Sequence, residues 1–308
     1  MGRHPDRREA VKRILMALVA LAGCVRQSDD GSAWEDVSAM SGALAPEVGP
    51  TPGALRAPAC RVRVVSWNVH LGADVDDLAR RIRASAELAR ADVLLLQEIE
   101  AYPGEGLTRT SRLAAALDMT WIYAPARLES DGTHGLAILS RFPLEDAQVR
   151  QLPYFEQPLN PRNRVALAAD VVLGPERLRV IDVHLDLRLG VVDRIRQLHP
   201  AVNDIPDRVL VGGDFNTNPW AWFDGLVPLT GTEAIVGQEQ ASVVDDYLGG
   251  KGFASALSID DSTVRLPGFA MRIDNFYARD LAIDGARVEH VEGSDHWPLW
   301  VDVDVCST

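Results

Sequence analysis

From residue 61 onward, hydrophobic positions recur with a period of two, then about 3.6, then two again, so strands and helices alternate. Arg61 to Trp67 predicts a strand. Behind it Asp74 supplies a helix N-cap, and Val75, Leu78, Ile82 and Ala86 share one face, predicting a helix to about Arg90. Asp92 to Leu96 is a buried strand closing in Gln97-Glu98, followed by a helix near Thr108 to Leu117. Strands follow at 121–125, 135–140, 164–173 and 178–185, then a helical stretch at 191–201 and a strand at 208–213. A helix near 241–248 precedes strands at 271–278, 286–291 and 297–305. Long β stretches with helices between them predict two packed sheets with helices outside, in one α/β domain. No Pro/Gly-rich break divides residues 60–308.

The amino terminus differs in kind. Arg3, Arg7, Arg8, Lys12 and Arg13 precede the apolar run Ile14 to Ala22, about half the ~20 residues that a membrane span requires, which is the pattern of a signal peptide. Leu21-Ala22-Gly23-Cys24 resembles the lipobox of bacterial lipoproteins, in which the cysteine is lipidated and becomes the first mature residue. The expected organisation is a signal peptide over 1–23, a lipidated Cys24 with a flexible tether over 24–59, and the domain over 60–308. The expected location is the bacterial cell envelope, outside the cytoplasm and attached to the membrane by lipid. A coil of that length reaches on the order of 30 Å.

Charge narrows the partners. The net charge of −13 resides wholly in residues 60–308, because the first 59 residues carry seven basic and seven acidic side chains. A protein gripping polyanions usually shows a basic surface, so a nucleic-acid substrate is disfavoured without being excluded. A monomeric domain acting on a phosphate ester is the expectation.

Candidate chemistry gathers at strand ends. Gly212-Gly213-Asp214-Phe215-Asn216 closes a buried strand, and Asp214 and Asn216 face the same way if the extended conformation persists. The same residues are also the commonest turn formers. Ser66-Trp67-Asn68, Gln97-Glu98, Val183-His184-Leu185-Asp186, Arg272-Ile273-Asp274 and Gly293-Ser294-Asp295-His296-Trp297 add an Asn, a Glu, two His and two Asp. Oxygen-rich ligands with few carboxylates suit Mg²⁺, and two histidines titrating near neutrality can divide acid and base roles. There is no Cys/His cluster in the domain to favour structural zinc.

In this order, and with Gly135-Leu136-Ala137-Ile138-Leu139-Ser140-Arg141, the motifs resemble the endonuclease/exonuclease/phosphatase superfamily over residues 61–305. The resemblance implies a DNase I-like four-layer α/β/β/α sandwich and metal-dependent cleavage of phosphate esters, with Mg²⁺ or its substitute Mn²⁺. It makes Glu98 the principal metal ligand, with Asn68 beside it and Asp295 assisting. Asp214 and Asn216 orient the water and hold a phosphate oxygen or second ion. His296, steered by Asp274, is the base or the phosphate-polarising group, and His184 contacts the phosphate and helps protonate the leaving oxygen. Leu136 departs from the pattern, since many relatives carry Asn there.

If Asn68 and His296 meet, the first and last strands run antiparallel as neighbours, and Cys60 and Cys306 fall at the same distance from the site. In an exported protein they are expected to form a disulfide. Trp220, Trp222 and Phe223 either pack a short helix or contact a lipid, base or sugar, and Arg162 and Arg164 either reach a phosphate or are solvated.

Overall fold

The structure, a computed structural model, describes residues 31–50, 59–158, 161–218, 220, 222, 239–265 and 270–306. Cys24, Phe223 and the signal sequence lie outside them. In chain order the strands are β1 Glu35–Asp36, β2 Glu47–Val48, β3 Arg61–Leu71, β4 Val93–Ala101, β5 Thr120–Glu129, β6 Gly132–Ser140 and β7 Leu144–Gln151. They continue with β8 Val165–Val172, β9 Arg177–His184, β10 Val209–Asp214, β11 Ala254–Ser255, β12 Asp274–Arg279, β13 Ala282–Val288 and β14 Leu299–Asp304. The helices are α1 Val75–Ala84, α2 Arg109–Leu117, α3 Val191–Val202 and α4 Glu239–Gly249.

Two mixed sheets result, ordered β13-β14-β3-β4-β6-β5-β2 and β1-β7-β8-β9-β10-β12-β11. One apolar layer lies between them, with Val62, Val64, Leu95 and Ile138 of one sheet opposite Leu167, Val180, Leu210 and Phe276 of the other. Outside the first sheet, Val65, Trp67, Leu94 and Leu96 pack beneath Leu78 and Ile82 of α1 and Leu113 of α2. Outside the second, Ile181, Val183, Val209 and Val211 pack beneath Leu198 of α3 and Val244 and Leu248 of α4. Burial of the central strands on both faces is what their near-continuous apolar runs require. The result is the expected α/β/β/α sandwich.

Helix α1 stops at Ala84 rather than near Arg90. Ser85 is extended and its hydroxyl accepts from the Leu88 N–H, so a local side-chain bond replaces the next helical turn with a short 3-10 turn over Leu88–Arg90. Strand β7 has no counterpart in the sequence reading, because only Val149 of its residues is buried and the others give no period-two signal. Part of the expected tether is structured. Within residues 31–50, β1 pairs with β7 and β2 with β5, extending the edge of each sheet. The flexible coil expected over 24–59 is therefore corrected for this stretch.

Strands β3 and β14 are antiparallel neighbours, Leu299 opposite Ser66 and Asp304 opposite Arg61. Just beyond that register Cys60 and Cys306 are disulfide-bonded, with Cα atoms 5.0 Å apart.

Candidate active site

Every second residue on the inner face of a strand points into the layer between the sheets. Following that face, side chains turn from apolar to polar toward one end of the sandwich. The series runs Val62, Val64, Ser66, Asn68 in β3, Val93, Leu95, Gln97 in β4, and Leu178, Val180, Asp182, His184 in β9. Strand β10 gives Leu210, Gly212, Asp214, and the oppositely directed β12 and β6 begin with Asp274 and His134 before turning apolar. The site is the polar mouth of the inter-sheet layer.

One step below the mouth, Gln97 Nε2 donates to Asp182 Oδ1 across the two sheets at 2.7 Å and lies 3.2 Å from Ser66 Oγ. Asp182 is fully buried, and burial pushes its carboxyl well above the usual range. This bridge fixes the spacing of β4 and β9, which carry Glu98 and His184.

Asp214 is the hub. Its Oδ2 accepts from Asn68 Nδ2 at 3.0 Å and lies 3.5 Å from His184 Nε2 and 3.9 Å from His296 Nε2. Its Oδ1 accepts from the Asn216 N–H at 2.8 Å. The turn reading of this segment describes its geometry: β10 ends at Asp214, and Asn216 turns into the left-handed region at φ 51°. The turn redirects the Asn216 amide, which donates to Leu185 O at 2.9 Å and so braces the end of β9. The expectation that Asp214 and Asn216 aim at one point from an extended strand is thus corrected. Gly213 makes the approach of β9 and β10 feasible, since at φ 138° an added Cβ would lie 2.0 Å from Val183 O.

His296 Nδ1 donates to Asp274 Oδ2 at 2.9 Å. Burial alone would lower its pKa, but the charges of Asp274 and Asp214 outweigh it and push it up to about 10. His296 is therefore an imidazolium at neutral pH, suited to polarising a phosphate rather than accepting a proton. Asp214 is raised by burial and by Asp274, and drawn down by His296. His184 is driven the other way by burial and by Arg164, and is neutral. The segment bearing His296 is locked to β3: Ser294 Oγ donates to Asn68 O at 2.7 Å, and Trp67 Nε1 donates to His296 O at 3.1 Å.

Glu98 occupies a bulge of β4, skipped in the register between Gln97 and Ile99, with φ at 59°. A non-glycine residue held there costs of order 1 kcal/mol or more, and such strain clusters at functional sites. Its carboxylate makes no hydrogen bond among the described residues, His184 Nε2 standing 3.8 Å away. Among the described residues Asn68 Oδ1 accepts only from the His70 N–H, at 3.1 Å. An unsatisfied carboxylate with a carboxamide oxygen fits a hard divalent cation. Asp295 lies apart at the rim: its side chain is 61 % exposed and 3.4 Å from His70 Nδ1.

The sequence reading missed His134. Donor atoms of Glu98, His134 and His184 lie within 4.8 Å of one another, as do those of Asp214, Asp274 and His296. Its signal was available, because His134 immediately precedes the Gly135 run and shares the inner face with Leu136 and Ile138. Leu136 is buried opposite Gln97 in the β4–β6 ladder. Arg272, in contrast, is structural, gripping Asp245 at 2.7 Å and Leu257 O at 2.9 Å. Asn218 Oδ1 accepts from Trp222 Nε1 at 2.8 Å and from the Trp220 N–H at 3.2 Å.

This sandwich, with acids and histidines at its inter-sheet mouth, defines the DNase I-like class. The chain belongs to the Endonuclease/Exonuclease/phosphatase family, whose sequence model matches residues 65–296. Members of that family are metal-dependent phosphoester hydrolases. The chain is 29 % identical over 171 residues to the uncharacterized protein YbhP of Escherichia coli K12, covering 50 % of this chain and 66 % of that protein, just under two thirds of its length. An endonuclease/exonuclease/phosphatase from Beutenbergia cavernae shares the fold at TM-score 0.62 and 20 % identity, covering 80 % of this chain and 72 % of that one. The human Nocturnin catalytic domain aligns at TM-score 0.56 and 19 % identity, covering 80 % and 94 %. D. rerio TDP2 complexed with single strand DNA product aligns at 0.55 and 18 %, covering 80 % and 100 %.

Proposed function

We propose that this protein is a Mg²⁺-dependent phosphodiesterase acting by in-line attack of water, lipid-anchored at Cys24 on the outer side of a bacterial membrane. The observation that carries the catalytic reading is the convergence of Glu98, Asp214, His184 and the His296–Asp274 pair at one mouth between the sheets. The disulfide supports an oxidising compartment.

Glu98 and Asn68 would hold the ion, which when bound neutralises charge on the phosphoryl oxygens and so admits an attacking oxyanion. Asp214, its carboxylate fixed by Asn68 and the Asn216 N–H, orients the water toward phosphorus. His296 donates from Nε2 to a phosphoryl oxygen, its charge maintained by Asp274. His184, neutral and with Nε2 3.5 Å from Asp214 Oδ2, faces the leaving oxygen. The work is positioning and electrostatics, with no covalent enzyme intermediate.

Hydrolysis of bis-p-nitrophenyl phosphate tests this. Activity is expected to vanish in excess EDTA and return with Mg²⁺. Glu98→Ala, Asp214→Ala and His296→Ala should each lose about 10²-fold or more while remaining folded. Turnover like wild type in any one of them removes that residue from the mechanism.

A further inference from the structure

Six arginines are buried among the described residues, and five are saturated. Arg63 holds Asp302 and Glu87, Arg109 holds Glu100 and Glu105, Arg179 holds Asp170 and Asp146, and Arg272 holds Asp245. Arg194 spends its donors on Leu187 O, Leu189 O and Gln240. Arg164 is the exception. It is 3 % exposed, its Nε has no hydrogen-bond partner, and no carboxylate pairs with it among the described residues. Burial brings its pKa down to about 10, which still leaves a cation at neutral pH. A buried charge without a partner is costly, and no other buried arginine among the described residues is left so.

Arg164 lines a small cavity with His134, Leu136 and His184, at the side of the catalytic mouth. His134 is as deeply buried, and neither ring nitrogen has a hydrogen-bond partner, the nearest carboxylate oxygen being Glu100 Oε1 at 3.6 Å from Nδ1. Nearby on β5, Arg127 directs Nε and Nη2 to Glu129 at 3.1 Å and leaves a buried Nη1 unpaired. The three side chains together present unsatisfied donors. Glu98, His134 and His184 could in principle hold a cation, but the charges of Arg164 and Arg127 act on both histidines and would repel one. Guanidinium N–H groups left unpaired select phosphate or carboxylate oxygens.

We propose that Arg164, Arg127 and His134 form an anion subsite for a second phosphate of the substrate, so that phosphoesters bearing two anionic groups are preferred to simple diesters. This rests on the phosphoesterase reading of the neighbouring mouth. A nucleotide or a phosphorylated lipid headgroup would supply the same chemistry.

Calorimetric titration with inorganic phosphate in EDTA reads the subsite without catalysis. Wild type is expected to bind, and Arg164→Met and Arg127→Met to bind about tenfold more weakly, with Arg164→Lys losing less. Arg164→Met removes an unpaired buried charge, so it should melt no lower than wild type without phosphate. Phosphate should then raise the melting temperature of wild type only. Absent phosphate binding, or binding unchanged in Arg164→Met, overturns the proposal. Under turnover with Mg²⁺, the p-nitrophenyl ester of thymidine 5′-phosphate is compared with its 3′-phosphorylated form, and glycerophosphoinositol with its 4-phosphate. The doubly charged member of one pair should be favoured about tenfold in kcat/KM, identifying the source, and Arg164→Met should abolish the preference. Equal kcat/KM within both pairs also overturns it. If none of the four is cleaved while phosphate binding depends on Arg164, the phosphoesterase reading fails and the anion subsite stands.

Discussion

His296 shows how a few charges decide what a side chain can do. With Asp274 and Asp214 beside it, its folded pKa of about 10 exceeds the ordinary histidine value near 6.5. Its contribution to stability is therefore fully present below about pH 6.5 and is lost as pH rises through about 10. Urea midpoints of the EDTA-treated protein should fall more steeply between pH 8 and pH 10 in wild type than in His296→Gln. Parallel curves would show that the ion pair adds nothing to stability. Residues of this kind were legible because the family pattern names them, from Asn68 to His296. Asp182 was not legible, nor was the burial of Arg164, which stood open between reaching a phosphate and being solvated, because burial is a property of three-dimensional packing; His134 was legible only from its place before the Gly135 run.

At the scale of elements, the ordering that matters is the change from apolar to polar along the inner faces of β3, β4, β9 and β10. It places the site where the strands end, and the Gln97–Asp182 bridge holds the two sheets at a fixed separation just beneath it. Asp182→Asn keeps an acceptor opposite Gln97 and, with burial already disfavouring the Asp182 carboxylate, is expected to change stability by less than about 1 kcal/mol, whereas Asp182→Ala removes the shortest of the Gln97 Nε2 hydrogen bonds and should cost about 1–3 kcal/mol. Chemical denaturation distinguishes the two. Gly213→Ala is the severe case, since its Cβ meets the β9 backbone at a positive φ. A loss of about 3 kcal/mol or more, read from the same curves, is expected. The long buried strands and capped helices were legible from period alone. Strand β7 was not, as a strand with one buried residue has no period to read.

Across the whole molecule, the termini of the domain are closed twice. The disulfide joins residues 246 apart in sequence, and loops of that length gain most in the chain-entropy account. Cys306→Ala should lower the unfolding free energy by about 3 kcal/mol, measured by guanidinium titration without reductant, and an unchanged midpoint would exclude a stabilising role. The second closure is residues 31–50, which straddle the two sheets through β1 and β2. Its consequence concerns height above a bilayer. If Cys24 carries lipid as proposed, only six residues lie between it and Gly31, a leash of at most ~25 Å when fully extended. The enzyme would then be confined to the layer of solution immediately over the membrane and would meet its substrate at that surface's local concentration. Release from the lipid would abolish this enrichment while leaving the chemistry of the mouth untouched.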